Sequence, residues 1–183
     1  HPEKSFITTA YDYDVPVYIS TIKDSSLALN LAVHRLEDKK FDLDFVREII
    51  EQAAIVYDSK KSGILELGGG VPKNTAQQTG PLLDQILKRN DGGQEYIIQI
   101  TDARPDTGGL SGATLQEGKS WGKIQDSHEG IITVYADATI AFPILALYVL
   151  SNQKERKPKR LYKKIDQLYD KLSKDYFDNP NRD

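Results

Sequence analysis

Ile64-Leu-Glu-Leu67 runs directly into Gly68-Gly-Gly70, with Val71-Pro-Lys73 behind it. A short apolar run ending in glycines reads as a β-strand, and the helical pattern beyond it opens at Asn74 or Thr75. That helix is broken at Gly80-Pro81 and resumes through Leu82, Leu83, Ile86 and Leu87. The same succession recurs on either side. Val15-Pro-Val-Tyr-Ile-Ser20, Tyr96-Ile-Ile-Gln-Ile-Thr101 and Ile131-Ile-Thr-Val-Tyr-Ala136 are β-branched and bounded by polar residues, so each reads as a strand. Helical spacing returns over residues 25–36, behind an Asp42 cap at Phe45, Ile49, Ile50, Ala53 and Val56, and over residues 139–150. Nearly all-apolar strands need cover on both faces. The alternation therefore predicts an α/β fold: a Rossmann-like, doubly wound, mainly parallel sheet with helices on both faces.

In that architecture ligands bind beyond the C-terminal strand ends. Asp24, Gly68, Gly69, Gly70, the loop 102–112 and Asp137 all fall at such ends, so the polar and glycine residues are expected on one edge of the sheet. Glycines between a strand and a helix let the backbone approach a ligand, or serve a tight turn alone. The dinucleotide fingerprint is not met, because Lys73 stands where its last glycine belongs. Asp24 and Asp137 read equally as ribose ligands or as helix N-caps. Residues 102–123 are glycine-rich and read as mostly irregular, a length that marks a functional loop.

Beyond residue 153 the pattern changes. A charged linker, Lys154-Glu-Arg-Lys-Pro-Lys-Arg160, precedes Leu161, Ile165, Leu168 and Leu172 at helical spacing, with Tyr162, Tyr169 and Tyr176 beside them. This predicts an α/β domain over 1–153, followed over 154–183 by the linker and a C-terminal amphipathic helix that must dock. The formal net charge of −3 supplies no basic field for nucleic acid or anionic lipid. The longest apolar run, 140–150, is too short to span a bilayer and reads as a buried helix. With no cysteine there is neither a disulfide nor a thiolate site, and His1, His34 and His128 form no ligand pattern, so no metal is expected. The chain has no methionine and opens at His1, so it is expected to be a processed chain, the second part of a longer protein.

Ser120-Trp-Gly-Lys-Ile124 is the most informative segment. A lysine becomes nucleophilic when it loses its proton near neutral pH, and burial against apolar surface promotes that loss. Trp121 offers such a wall, and its face also attracts a cationic amine. Glu117 lies upstream, placed to bind an amine or move a proton. The plainer alternative is a surface lysine after a core tryptophan.

Leu67-Gly-Gly-Gly-Val-Pro-Lys73, Ser111-Gly-Ala113, Ser120-Trp-Gly-Lys-Ile124 and Val134-Tyr-Ala-Asp-Ala138 occur in an order that resembles the deoxyhypusine synthases, with Val15-Pro-Val17 and Lys23-Asp24-Ser-Ser-Leu27 upstream. The resemblance covers about residues 6–150 and corresponds to the C-terminal half of that family's chain, in a prokaryotic synthase-like protein. It implies NAD-dependent transfer of an aminobutyl group from a polyamine to an amine through an imine on Lys123. Trp121 and Glu117 would contact the polyamine. Asp24, Gly68 to Gly70, Ala103, Asp137 and Ala138 would contact NAD. The family's base, a histidine, is here Asn74, and two amine-holding carboxylates are Leu29 and Leu110. The resemblance further implies a homo- or hetero-tetramer, with the N-terminal half on a separate chain; the lack of cysteine fits a reducing compartment, and a cytoplasmic location is expected. Three functions stay open: an alkylamine transferase for small polyamine-like substrates, such as a homospermidine synthase-like enzyme; a synthase modifying the lysine of translation initiation factor 5A; and an inactive NAD-binding regulatory subunit.

Overall fold

The computed structural model describes residues 2–89, 93–125 and 130–180; His1 and His128 lie outside them. The chain opens with helix α1 (Phe6–Asp12), capped by the Ser5 hydroxyl, then α2 (Ser26–Leu36), capped by Ser25. Helix α3 (Phe45–Asp58) starts two residues later than the Asp42 cap expected from sequence, because Asp44 accepts the Arg47 N–H. Strand β1 (Gly63–Leu67) leads into α4 (Val71–Gln77), which begins three residues before Asn74. Helix α5 (Thr79–Pro81) widens at once into a π-helical turn, Leu82–Ile86. Strand β2 (Tyr96–Thr101), α6 (Leu115–Ser120), β3 (Ile131–Tyr135) and α7 (Ala138–Asn152) follow. A 3₁₀ turn, Leu161–Lys164, and helix α8 (Ile165–Phe177) end the described chain.

The three strands form one parallel sheet in the order β1-β2-β3, with Gly63 beside Tyr96 and Ile97 beside Ile131. The class is α/β. The order advances one way, so the described strands do not include the reversal that marks a doubly wound sheet. Val15–Ser20, expected as a strand, joins neither a helix nor the sheet. Tyr18 instead donates a hydrogen bond to Glu51 on α3. Residues 102–123, expected to be irregular, contain 3₁₀ turns and α6, whose start is fixed by a Thr114–Glu117 capping box.

Two apolar clusters hold this together. Ala53 and Ala54 of α3 meet Leu83, Leu168 and Leu172, so α8 docks on α3 of its own chain. Ile97 of β2 meets Leu115 and Ile124 on the face where α6 lies. The opposite sheet face is poorly covered: Leu65, Leu67, Ile132 and Val134 remain exposed. Helix α7 was expected to be buried. Here it is apolar all round, and Ile140, Ile144, Leu147, Tyr148 and Leu150 are each about two-thirds exposed.

Candidate functional site

The parallel register sets the C-terminal strand ends side by side. Gly68 N–H donates to the Ile100 carbonyl at 2.8 Å, and Ala136 N–H to the Thr101 carbonyl at 3.1 Å. This brings Gly68, Ala103, Asp137 and Ala138 to one edge. Gly68 and Gly69 turn the chain at φ of 60° and 70°, in the region that side chains disfavour, and a Cβ on Gly68 would meet only open space. Asp137 is engaged as the N-cap of α7, accepting Thr139 N–H and Oγ1–H at 2.7 Å each, and these bonds hold its carboxyl below the usual range. Asp24 ends a 3₁₀ turn before α2 rather than following a strand, so the sheet does not carry it to this edge.

From the glycine turn, α4 leads to the reactive segment. The Asn74 N–H donates to the Gly70 carbonyl at 3.0 Å, one helical turn on, and Asn74 Oδ1 accepts a hydrogen bond from Lys123 Nζ. The lysine thus reaches to within a turn of the glycines. It lines a cavity of about 330 Å³ with Lys73, Asn74, Leu110, Glu117 and Trp121. Burial lowers its pKa below the ordinary lysine range.

The indole is not the shelter expected from sequence. Trp121 is 66% exposed and its ring centroid lies 6.0 Å from Lys123 Nζ, at the outer limit of a cation–π contact. The backbone around Lys123, by contrast, is closely packed. A Cβ on Gly80 would stand 2.7 Å from the Gly122 carbonyl and 3.3 Å from Lys123 Cα, so only glycine lets α5 approach the lysine's backbone. Glu117 sits at the cavity rim with one carboxylate oxygen accepting the Thr114 N–H and hydroxyl. Leu110 lies over the glycine turn, where a Cβ on Gly70 would be 3.1 Å from its Cβ. Leu29 is elsewhere, 72% exposed on α2 and absent from the cavity lining. Among the described residues no histidine or carboxylate cluster is built to hold a metal.

Sequence reasoning missed what lies beneath. Lys73, only 6% exposed, donates to the Ala113 carbonyl at 2.9 Å. Glu66, 3% exposed, accepts from Gln77 with one oxygen, and its other oxygen has no partner among the described residues. The signal was present in the glutamate of Ile64-Leu-Glu-Leu67, an ionisable residue inside an apolar strand.

A family model for deoxyhypusine synthase matches residues 1–149. The chain belongs to the deoxyhypusine synthase family. A deoxyhypusine synthase-like protein of Nostoc sp. is 46% identical over 93% of this chain and 46% of its own length. Another, of Thermosynechococcus vestitus, is 41% identical over 96% of this chain and 46% of its own. "Probable deoxyhypusine synthase 2" of Methanosarcina acetivorans is 40% identical over 79% of this chain. The chain spans about half the length of the curated relatives it matches. Within the deoxyhypusine synthase match, Lys73, Asn74, Trp121 and Lys123 form one cavity wall, and Asn74 ties it to the glycine turn through the Gly70 carbonyl. Asp24 and Leu29 fall inside the matched residues and outside that wall.

Proposed function

We propose that this chain is the C-terminal half of an NAD-dependent alkylamine transferase, which passes an aminobutyl-type group from a polyamine-like donor to an amine acceptor through an imine on Lys123. The observation that supports it is the Lys123–Asn74 hydrogen bond, which holds a lysine of lowered basicity inside a cavity one helical turn from the glycine turn.

The open, side-chain-free turn at Gly68 and Gly69, with Ala103, Asp137 and Ala138 on the same edge, fits a dinucleotide approached by backbone. Held there, NAD would supply the hydride chemistry that oxidises the donor carbon and later reduces the product. The other steps belong to the chain. The neutral Lys123 amine attacks the imine carbon of the oxidised donor. A bond forms from that carbon to Nζ, and the bond to the departing diamine breaks. The proton lost by Nζ leaves on that diamine. An acceptor amine then repeats the exchange and frees Lys123.

Asn74 accepts one Nζ–H and so turns the lone pair toward the cavity, but an amide cannot act as a base near neutral pH. Glu117 at the rim and the open face of Trp121 attract a cationic amine. Leu110 presents an apolar wall that would leave a buried ammonium unpaired, favouring a substrate uncharged at that end.

The exposed α7 and outer sheet face are read as the seat of a second polypeptide bearing the family's N-terminal half. That polypeptide would complete a doubly wound sheet and bring Asp24 and Leu29 to an interface, within a cytoplasmic tetramer. The test combines this chain with such a polypeptide, NAD and candidate polyamines, then reduces with borohydride. A mass adduct on the peptide holding Lys123 is expected. Its absence with every amine tried, while NAD binds, rejects the transferase and leaves the regulatory subunit.

A further inference from the structure

Lys123 is held at both ends by the same stretch of chain. Its side chain donates to Asn74 Oδ1 on α4. Its backbone carbonyl accepts the Gln94 N–H at 3.0 Å, and the Gln125 N–H donates to the Gln94 carbonyl at 3.0 Å, so Gln94 and Ile124 pair as an isolated parallel bridge outside the sheet. Gln94 is buried, and its Nε2 donates to the hydroxyl of the equally buried Thr79 at 3.2 Å. Thr79, the first residue of α5, donates in turn to the Ala76 carbonyl of α4 at 2.9 Å. A path from Asn74 along α4 to Thr79, across to Gln94, on to the Lys123 carbonyl and out along the lysine side chain therefore returns to Asn74.

Closing that circuit matters because a lysine joins its backbone to its nitrogen through four flexible carbons, with much rotamer freedom to lose. Fixing the nitrogen alone would leave the backbone free to swing, and fixing the backbone alone would leave the nitrogen sampling rotamers. Here both are referred to α4 and α5. The Lys123 N–H adds a third tie, to the Gly118 carbonyl of α6 at 3.0 Å. The bridge also needs a close approach: a Cβ on Gly93, at φ of 84°, would stand 2.5 Å from the Lys123 carbonyl carbon. Stability alone does not demand a glutamine–threonine pair at this point. Two apolar groups of the same shape can be nearly neutral, whereas a hydrogen bond adds one direction and one length. A threonine hydroxyl both donates and accepts, as the relay from Gln94 to Ala76 requires, and its isostere valine does neither.

We infer that Gln94 and Thr79 are positioning residues for Lys123: their buried hydrogen bond fixes the bridge that carries the Lys123 carbonyl, and so sets where the amine stands beside Asn74. This rests on the reading of Lys123 as nucleophile and adds how its attack is aimed. Neither residue lines the cavity, so each acts through Lys123 and not on a substrate.

The test reads Lys123 directly, without turnover. The full chain is incubated with 4-aminobutanal, an aldehyde carrying the aminobutyl group, and cyanoborohydride. Nζ bonds to the aldehyde carbon with loss of water, and cyanoborohydride supplies the hydride that makes the adduct permanent. Mass spectrometry follows the Lys123 peptide against peptides of exposed lysines. Lys123 should label faster than these and saturate with aldehyde. Thr79→Val should lower the saturating rate about tenfold at every pH, with the half-saturating concentration and the midpoint of the pH profile unmoved, because alignment is lost and not binding or basicity. Thr79→Ser, which keeps the hydroxyl, should keep the rate. Gln94→Leu should match Thr79→Val, and the two together should fall no further than either alone while recovering the unfolding midpoint lost by Thr79→Val. That double variant decides where a single one does not fold. Unchanged saturating rates in the folded variants, or a change in half-saturation alone, overturn the inference and leave the nucleophile reading intact. Labelling of Lys123 no faster than the exposed lysines in the unsubstituted protein overturns both.

Discussion

At the scale of single residues, the chemistry turns on how Asn74 and Lys123 meet. The amide oxygen fixes the ammonium or amine end of a flexible side chain that would otherwise sample many rotamers. Asn74→Ala should leave the fold intact and reduce imine trapping about 10²-fold, the cost of a nucleophile displaced by roughly an ångström; single-turnover borohydride trapping measures it. Burial lowers the Lys123 pKa, so its neutral fraction exceeds that of an ordinary lysine at every pH below the ordinary value of about 10.4. Imine formation should climb with pH and level off once pH passes the folded-state pKa, short of that value. Between those two pH values the unfolded chain binds more protons than the folded one, so stability rises with pH there. A rate profile still climbing through the ordinary lysine value would contradict the burial argument. Residue identity was legible where chemistry follows motif, at Lys123 and Gly68 to Gly70. It was not legible for Gly80, whose role depends on the backbone of Gly122 and Lys123, far along the chain, being brought against it. Gly80→Ala should push that backbone away and lower trapping at Lys123 by at least tenfold, whereas Asp170→Ala, an exposed change on α8, should leave the same assay unmoved.

At the scale of elements, local pattern and long-range partner gave different answers. β1, β2 and β3 were readable because each is a short apolar run between turn residues. Val15–Ser20 has the same look, but a strand exists only through a neighbour, and within the described residues none is offered to it. The C-terminal helix illustrates the opposite case. Its leucine spacing announced an apolar stripe without saying what the stripe would meet, and the structure seats it on α3. Leu172 is 1% exposed in that contact. Leu172→Ala should cost about 2–5 kcal/mol through lost burial and the cavity left behind, measurable as a lower midpoint in urea unfolding. A cost below about 0.5 kcal/mol would mean that α8 is not docked as seen here.

At the scale of the whole molecule, the distribution of apolar surface carries the argument. The face that holds α6 is packed and polar groups beneath the cavity are buried, whereas α7 and the outer sheet face put leucines, isoleucines and a tyrosine into water. Contiguous exposed apolar surface on this scale marks an interface. Burying one such side chain is worth about 1.5–3 kcal/mol, so several together can hold a second polypeptide in place. A helix apolar around its whole circumference needs cover on more than one side, which a single crossing of the sheet does not give. Ile144 and Leu147 stand among its most exposed positions and outside the cavity lining. Ile144→Asp should therefore weaken association with a polypeptide bearing the family's N-terminal half by at least tenfold, because a desolvated carboxylate would have no partner in an apolar contact. Sedimentation of the mixed chains measures the association, and the unfolding midpoint of this chain alone should move little, since Ile144 is two-thirds exposed there. NAD affinity should fall in step with assembly. Tight NAD binding by the isolated chain, or full assembly with Ile144→Asp, would place the partner on some other surface.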